Sequence, residues 1–318
     1  SSSSIFTSLL VIIFTSPLYA EKNSVVIGMQ LEPPNLDPTG GAAAAIDEVV
    51  YSNIFEGLTR FQADGSVSSG LAKSWKISGD GLVYTFQLNE GINFHDGSVF
   101  DASDVKFSLD RARAEDSTNA QKGLFKGIQS VTVINPSVVE ISLSDPNGSF
   151  LRNLAWGDAI ILDPKTAGNA ASSPVGTGPF KFSQWIKGDR VELVRNNDYW
   201  GTPVVLEKAS FKFISDPTAA FAALMAGDVD AIDNVPTSDV ERLKKNPKIS
   251  LSSGVSNRVI YLHMDQFRDS SPFVTTKDGK PMNKNPLKNP KVRKALSMMI
   301  NRKAIVERVM EGIAIPAG

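Results

Sequence analysis

Cysteine is absent from the 318 residues. No disulfide framework, thiolate nucleophile or thiolate metal site can be built from them, and no cysteine is present to carry a lipid anchor. Histidine is scarce. His95 and His263 are the only two, with no HExxH pair and no His/Cys cluster of zinc spacing. No GxSxG elbow supports a Ser-His-Asp arrangement, so no catalytic residue, metal site or cofactor is expected. A basic excess is also missing: 33 Lys and Arg face 34 Asp and Glu, which argues against a nucleic-acid partner. Long apolar runs are lacking too. The longest, IFTSLLVIIF at residues 5–14, is about half the roughly twenty residues a membrane span requires. With Pro17 behind it and Leu18-Tyr19-Ala20 as a small-residue cleavage site, residues 1–20 read as a signal peptide. The competing reading is a buried N-terminal strand.

What is present is enough apolar sequence, 42%, for one large or two medium domains. The most informative stretch is Leu71 to Ala112. Leu82, Tyr84, Phe86 and Leu88 alternate with polar or smaller neighbours, the period of a half-buried strand. Asp80-Gly81, Glu90-Gly91 and Asp96-Gly97 punctuate it as turns. Asp101 or Ser103 can then cap a helix with Val105, Leu109 and Ala112 on one face.

Upstream, SVVIGM at 24–29 reads as a short strand running into Gln30–Pro38, which its prolines keep extended. Ile46, Val49, Val50 and Ile54 have helical spacing, with Gly57 as the C-cap. Downstream, 128–133 and 138–143 form a hairpin-like pair around Asn135-Pro136, and 150–161 is an apolar stretch containing Trp156. Phe180/Phe182 and Val191/Leu193 alternate as paired strands. Gly176-Thr177-Gly178 lacks the further glycine and lysine of a phosphate loop and reads as tight-turn glycine between strands. Phe211 and Phe213 mark a strand, then Asp216-Pro217 opens a helix with Phe221, Leu224 and Met225 as its apolar face. GDVDAID at 227–233 follows, an α/β crossover that favours a mixed sheet. Asp228 and Asp230 sit two apart on one strand face, where they could hold a cation or serve the scaffold. Asn234 lies at that strand's end, where open α/β sheets place ligands. NRVIYLHMD at 257–265 reads as a strand and 267–290 as a polar loop. Two helices follow, one opened by Asn289-Pro290 and one by Asn301.

As strings, several of these segments resemble family 5 extracytoplasmic solute-binding proteins, the peptide and nickel receptors of ABC importers. The matching pieces are LAKSWKISGDGLVYTFQL, GINFHDGSVFDASDVKFSLDR, NIFEGL, VGTGPF, VELVRNNDYWG, GDVD and KVRKALSMMINRKAIV, and the likeness runs over 25–318. The resemblance implies an α/β periplasmic-binding-protein-like fold of class II, cluster C: a two-lobed receptor with an extra small α/β domain, its second lobe truncated. Residues 21–45 with 165–262 would form the main lobe, 46–164 the small domain, and 263–318 the incomplete start of the second lobe.

The implied function is that of the substrate-binding subunit of an ABC importer, periplasmic and not a lipoprotein. It would bind di- or oligopeptides between lobes that close by hinge motion, deliver them to membrane permease subunits, and act as a monomer at full length. Glu32 matches a ligand-contacting acidic position in peptide-binding relatives. Asn234, Trp156, Asn257 and Arg258 complete the expected ligand set, with Asp158 beside Trp156 a further candidate. For Glu32 the plain alternative is a solvated loop carboxylate, and for Trp156 a core position. His95 is expected to be structural. Other cargoes in the family (nickel chelates, haem, oligosaccharides, opines) remain open, as does, from another class, an exported hydrolase.

Overall fold

A computed structural model describes residues 22–233, 235–254 and 259–316. In chain order its strands are β1 (Ser24–Met29), β2 (Thr59–Phe61), β3 (Val67–Ser69), β4 (Ala72–Ile77), β5 (Val83–Leu88), β6 (Ile128–Asn135), β7 (Val138–Leu143), β8 (Phe180–Ile186), β9 (Arg190–Arg195), β10 (Lys208–Phe213) and β11 (Ala231–Ile232). The helices are α1 (Ala44–Val50), α2 (Ala102–Arg113), α3 (Phe150–Asn153), α4 (Pro217–Ala226), α5 (Val240–Lys244), α6 (Pro290–Met299) and α7 (Arg302–Arg308). The chain divides into two compact units, one through Asn234 and one from Val235.

The first unit contains two separate apolar cores. One lies on a mixed five-stranded sheet of order β11-β1-β10-β9-β8. β1 is parallel to both β10 and β11, which makes α4 a crossover, and β9 and β8 continue the sheet antiparallel. Ile46, Val49 and Val50 of α1 pack with Leu36, Phe55, Val191, Leu193 and Phe211 to fill this core. The other core lies on an antiparallel sheet of order β4-β5-β7-β6 covered by α2. The alternation in β5 does what its period dictates: Tyr84, Phe86 and Leu88 are buried and the residues between them half-buried. α2 starts at Asp101, whose carboxylate accepts from Ser103 N, while Asp104 Oδ2 accepts from Asp101 N. This reciprocal cap satisfies donors that a helix N-terminus leaves open.

Four local expectations are corrected. The first helix ends at Val50 instead of continuing to a Gly57 cap; Tyr51 is the C-cap and Ser52 turns into the left-handed region at φ 56°. The reason is tertiary. Gly178 N and Phe180 N donate to Ile54 O and Asn53 O, each at 2.9 Å, drawing this segment toward the 176–180 loop. Gly57 instead permits a close approach, since a Cβ there would lie 2.9 Å from Leu154 O. Secondly, the expected apolar face of α4 holds only in part: Phe221 and Leu224 are half-buried, but Met225 is 48% exposed and the one buried residue is Ala220. PTAAFAALMA is apolar on every side, so periodicity could not select the face. Thirdly, Asp228 and Asp230 do not share a strand face: β11 is only Ala231–Ile232, and both aspartates precede it. Fourthly, residues 259–265 form no strand, and Val259 to Leu262 are exposed. A strand requires partners for its backbone groups, and none of the described residues pairs with this one.

The second unit is held mainly by polar contacts. Asp265 accepts from the Phe267 and Arg268 amides, the Arg268 guanidinium and the Ser271 hydroxyl; the hydroxyl and guanidinium bonds hold its carboxyl far below the usual range. Asn289 and Asn301 cap α6 and α7 through Lys291 N and Ala304 N, each at 2.9 Å. Neither helix has a buried residue.

Candidate functional site

Two prolines keep the segment after β1 extended, and hydrogen bonds fix where it runs. Asp37 accepts from the amide and hydroxyl of Thr39 at 2.9 and 2.6 Å. Arg111 of α2 pairs with the buried Asp37 at 2.5 Å and also reaches Thr39. Glu32, carried by the same segment, is half-buried. Its carboxylate accepts from the Trp185 indole N–H at 2.9 Å and from Gly188 N at 3.0 and 3.1 Å. Gly188 sits in the β8–β9 turn at φ 77°, a conformation that favours glycine. The Lys187 ammonium lies over the Trp185 ring, 2.8 Å from its centroid, a cation–π arrangement. Glu32 is thus neither a free solvated carboxylate nor an isolated charge. It anchors the β8–β9 turn and keeps lone pairs for a further donor.

Trp156 is 41% exposed, not a core residue. Its ring meets Phe61 edge-on with centroids 6.1 Å apart, and the Arg152 guanidinium lies 5.0 Å from the Phe61 centroid. It precedes a short 3-10 turn, Gly157–Ala159, whose Asp158 is buried. No described contact joins Trp156 to Glu32. Asn234, Asn257 and Arg258 lie outside the described residues. Sequence reasoning passed over Trp185 and Lys187; the one signal for them was an indole and a cation at the end of an otherwise regular strand.

The residues behind the sequence signature meet in a polar junction. His95 N donates to Gly176 O at 2.9 Å, Gly176 N donates to His95 Nδ1 at 3.2 Å, and His95 Nε2–H donates to Gly178 O at 2.9 Å. This pairing requires a neutral imidazole, and burial pushes His95 down to about 4. Glu56, also buried, accepts from the Thr177 hydroxyl (2.8 Å), the Tyr199 hydroxyl (2.7 Å) and the Trp200 indole (2.8 Å). Burial raises its carboxyl and these three donors oppose the rise. Beside it lies a partly open cavity of about 60 Å³ lined by Tyr51, Ser52, Glu56, Arg60, Tyr199 and Trp200, room for several waters. The FHDG, VGTGPF, EGL and YWG segments therefore fasten the first unit internally.

Of the aspartates in GDVD, Asp230 accepts from Val26 N at 2.8 Å and pairs with Lys22. That role belongs to the scaffold, fixing the start of β1. Among the described residues, no three or more His, Asp or Glu side chains are grouped as a metal site. No described helix is long and apolar enough to cross a membrane.

A sequence model for bacterial extracellular solute-binding proteins, family 5 middle, matches residues 66–318. Glutathione-binding protein GsiB of Pectobacterium atrosepticum is 33% identical over 309 residues, covering 95% of this chain and 56% of that protein. Among solved structures, the oligopeptide-binding protein AppA of Bacillus subtilis with a nonapeptide aligns at TM-score 0.78 and 26% identity, over 92% of this chain and 57% of AppA. NikZ of Campylobacter jejuni with Ni(L-His) aligns at TM-score 0.72 and 30% identity, over 93% and 57%. The chain spans a little over half the length of the curated relatives it matches.

Proposed function

We propose, starting from the fact that the chain belongs to the family 5 bacterial extracellular solute-binding proteins, that the whole protein is the peptide-binding subunit of an ABC importer. It acts outside the cytoplasm, in the periplasm, and hands its ligand to membrane permease subunits. The observation that carries this reading is the family match over 66–318. The likeness to relatives named as glutathione-binding and to a nonapeptide complex supports the choice of cargo. Peptides fit what this chain offers: a half-buried carboxylate at Glu32, which attracts a cationic group, and a half-exposed indole at Trp156, which gives an apolar or cation–π contact. Asn234, Asn257 and Arg258 are proposed as further ligand contacts. The two separate cores of the first unit support a small domain, but its core runs from Leu58 to Ile161 and not over 46–164, because Ile46, Val49, Val50, Ile54, Phe55, Ile160 and Leu162 pack into the core of the five-stranded sheet. No catalytic step is proposed. Two histidines and no cysteine leave little material for one.

The test is to purify the whole protein from its host, release the bound ligand, identify it by mass spectrometry, and titrate it calorimetrically. A peptide, with glutathione as the first candidate, is the expected result. Recovery of a nickel chelate, haem, an oligosaccharide or an opine instead would overturn the cargo assignment. Within that titration, Glu32→Gln should weaken the ligand about tenfold, roughly 1.4 kcal/mol. Unchanged affinity would remove Glu32 from the ligand set.

A further inference from the structure

The chain holds one Asn-Gly pair, Asn147-Gly148, and four Asp-Gly pairs, at 64–65, 80–81, 96–97 and 278–279. A glycine after Asn or Asp presents a backbone nitrogen that no Cβ shields, and that nitrogen can attack the carbonyl carbon of the side chain before it. The fold does not leave all of these nitrogens equally free. In each Asp-Gly pair the glycine N–H is committed to a turn: Gly65, Gly81, Gly97 and Gly279 donate to the carbonyls of Gln62, Ser78, Phe94 and Thr276, each at 2.9 Å. Gly148 N donates to no group among the described residues.

The surroundings of Asn147 favour the same attack. It lies half-buried in the loop between β7 and α3, with Gly148 and Ser149 exposed beside it. A Cβ on Gly148 would meet nothing within 4 Å, so solvent reaches the pair. The side-chain nitrogen Nδ2 donates to no described group, and the hydrogen bond that the side chain does make is at its other end, where Ser149 N donates to Oδ1 at 2.9 Å. That donor draws electrons from Cγ and faces the oxygen on which negative charge develops during attack, as backbone N–H groups do wherever they assist addition to a carbonyl.

We propose that Asn147 is a site of spontaneous deamidation by water, the one pair whose attacking nitrogen the fold leaves free. Gly148 N gives its proton to hydroxide and bonds to Asn147 Cγ. The Cγ–Nδ2 bond then breaks, and Nδ2 takes a proton from water and leaves as ammonia. The resulting succinimide ring takes up one water: opening at Cγ gives aspartate, and opening at the main-chain carbonyl carbon gives isoaspartate. The sum is asparagine and water giving the acid and ammonia, with no change of oxidation state. The modification has a structural consequence. Asn147 O accepts from Phe150 N at 3.0 Å and from the Tyr84 hydroxyl at 3.4 Å, and the buried Phe150 ring meets Tyr84 edge-on with centroids 4.8 Å apart. Isoaspartate routes the main chain through Cβ and lengthens by one atom the link that sets this contact, which a close-packed core feels.

The test is incubation of the purified protein at mildly alkaline pH in water enriched in heavy oxygen, followed by peptide mapping with mass spectrometry. The Asn147 peptide should give two labelled products, aspartyl and isoaspartyl. The same incubation in urea supplies the intrinsic reactivity of each pair. Relative to urea, Asn147 should keep its rate in the folded protein, while the Asp-Gly peptides at 64–65, 80–81 and 96–97 should lose theirs about tenfold or more. Gly148→Ala, whose Cβ the fold accommodates, should slow the reaction at Asn147 about tenfold. No label at Asn147 in the folded protein, a slowing by the fold equal to that of the Asp-Gly pairs, or an undiminished rate in Gly148→Ala would each overturn the proposal. Asn147-Gly148-Ser149 also has the Asn-x-Ser form of a glycan acceptor, and a sugar on Nδ2 in protein taken from its host would equally overturn it.

Discussion

At the scale of single residues, the molecule divides its polar groups into fasteners and open sites. His95 is a fastener, and its chemistry gives a signed prediction. In the unfolded chain it takes a proton near 6.5; in the fold it stays neutral down to about 4, chiefly because burial disfavours the charged ring, and the neutral ring lets Nδ1 accept from Gly176 N. Its contribution is complete above pH 6.5 and declines as pH falls toward 4, at up to about 1.4 kcal/mol per pH unit. Asp47, Asp104 and Asp158, raised to about 6 chiefly by burial, act in the opposite sense. They add stability below pH 4 that is lost as pH rises through 6. Denaturant unfolding of wild type and His95→Gln from pH 4 to 7 separates the two effects: the stability gap should widen with pH and then level off above 6.5. A gap independent of pH would refute the neutral-imidazole staple. The FHDG string marked His95 as structural, whereas its partners lie more than eighty positions away and belong to another turn.

At the scale of elements, turns and caps were legible because they are local. Gly81, Gly91 and Gly97 all adopt positive φ where Asp-Gly and Glu-Gly pairs stand, and Asp101, Asp216, Asn289 and Asn301 all cap helices. The end of α1 was not legible, since donors from Gly178 and Phe180 decide it. That junction admits no side chain: a Cβ on Gly176 would sit 2.0 Å from Ile54 O, and one on Gly178 2.3 Å from Asn53 O. Gly176→Ala should therefore lower stability by more than about 2 kcal/mol, well above an ordinary surface change. Thermal or urea unfolding checks this, and a loss comparable with that of Gly123→Ala, where a Cβ meets nothing, would contradict it.

At the scale of the whole molecule, the two units differ in how their elements are held. β5 and α2 bury most of one face; α6 and α7 bury no residue and leave Met298, Met299 and Val309 exposed. Elements with little apolar burial open locally at low free energy. Hydrogen exchange should be fast through residues 291–308 and slow through 83–88 and 105–112. Equal protection in the two regions would count against this account. By itself, the sequence determined the family, the mixed α/β character, the alternating strands and most caps, since each is written in neighbouring residues or in a contiguous string. Tertiary structure alone decided what the charges do. Glu32 meets Trp185 from 153 positions away, the Asp47 carboxylate lies against Gly157, where a Cβ would fall 2.1 Å from its Oδ1, and a would-be strand at 259–265 stays open for want of a partner. Spacing along a chain fixes which face a residue occupies, and only folding brings the distant group that pairs with it.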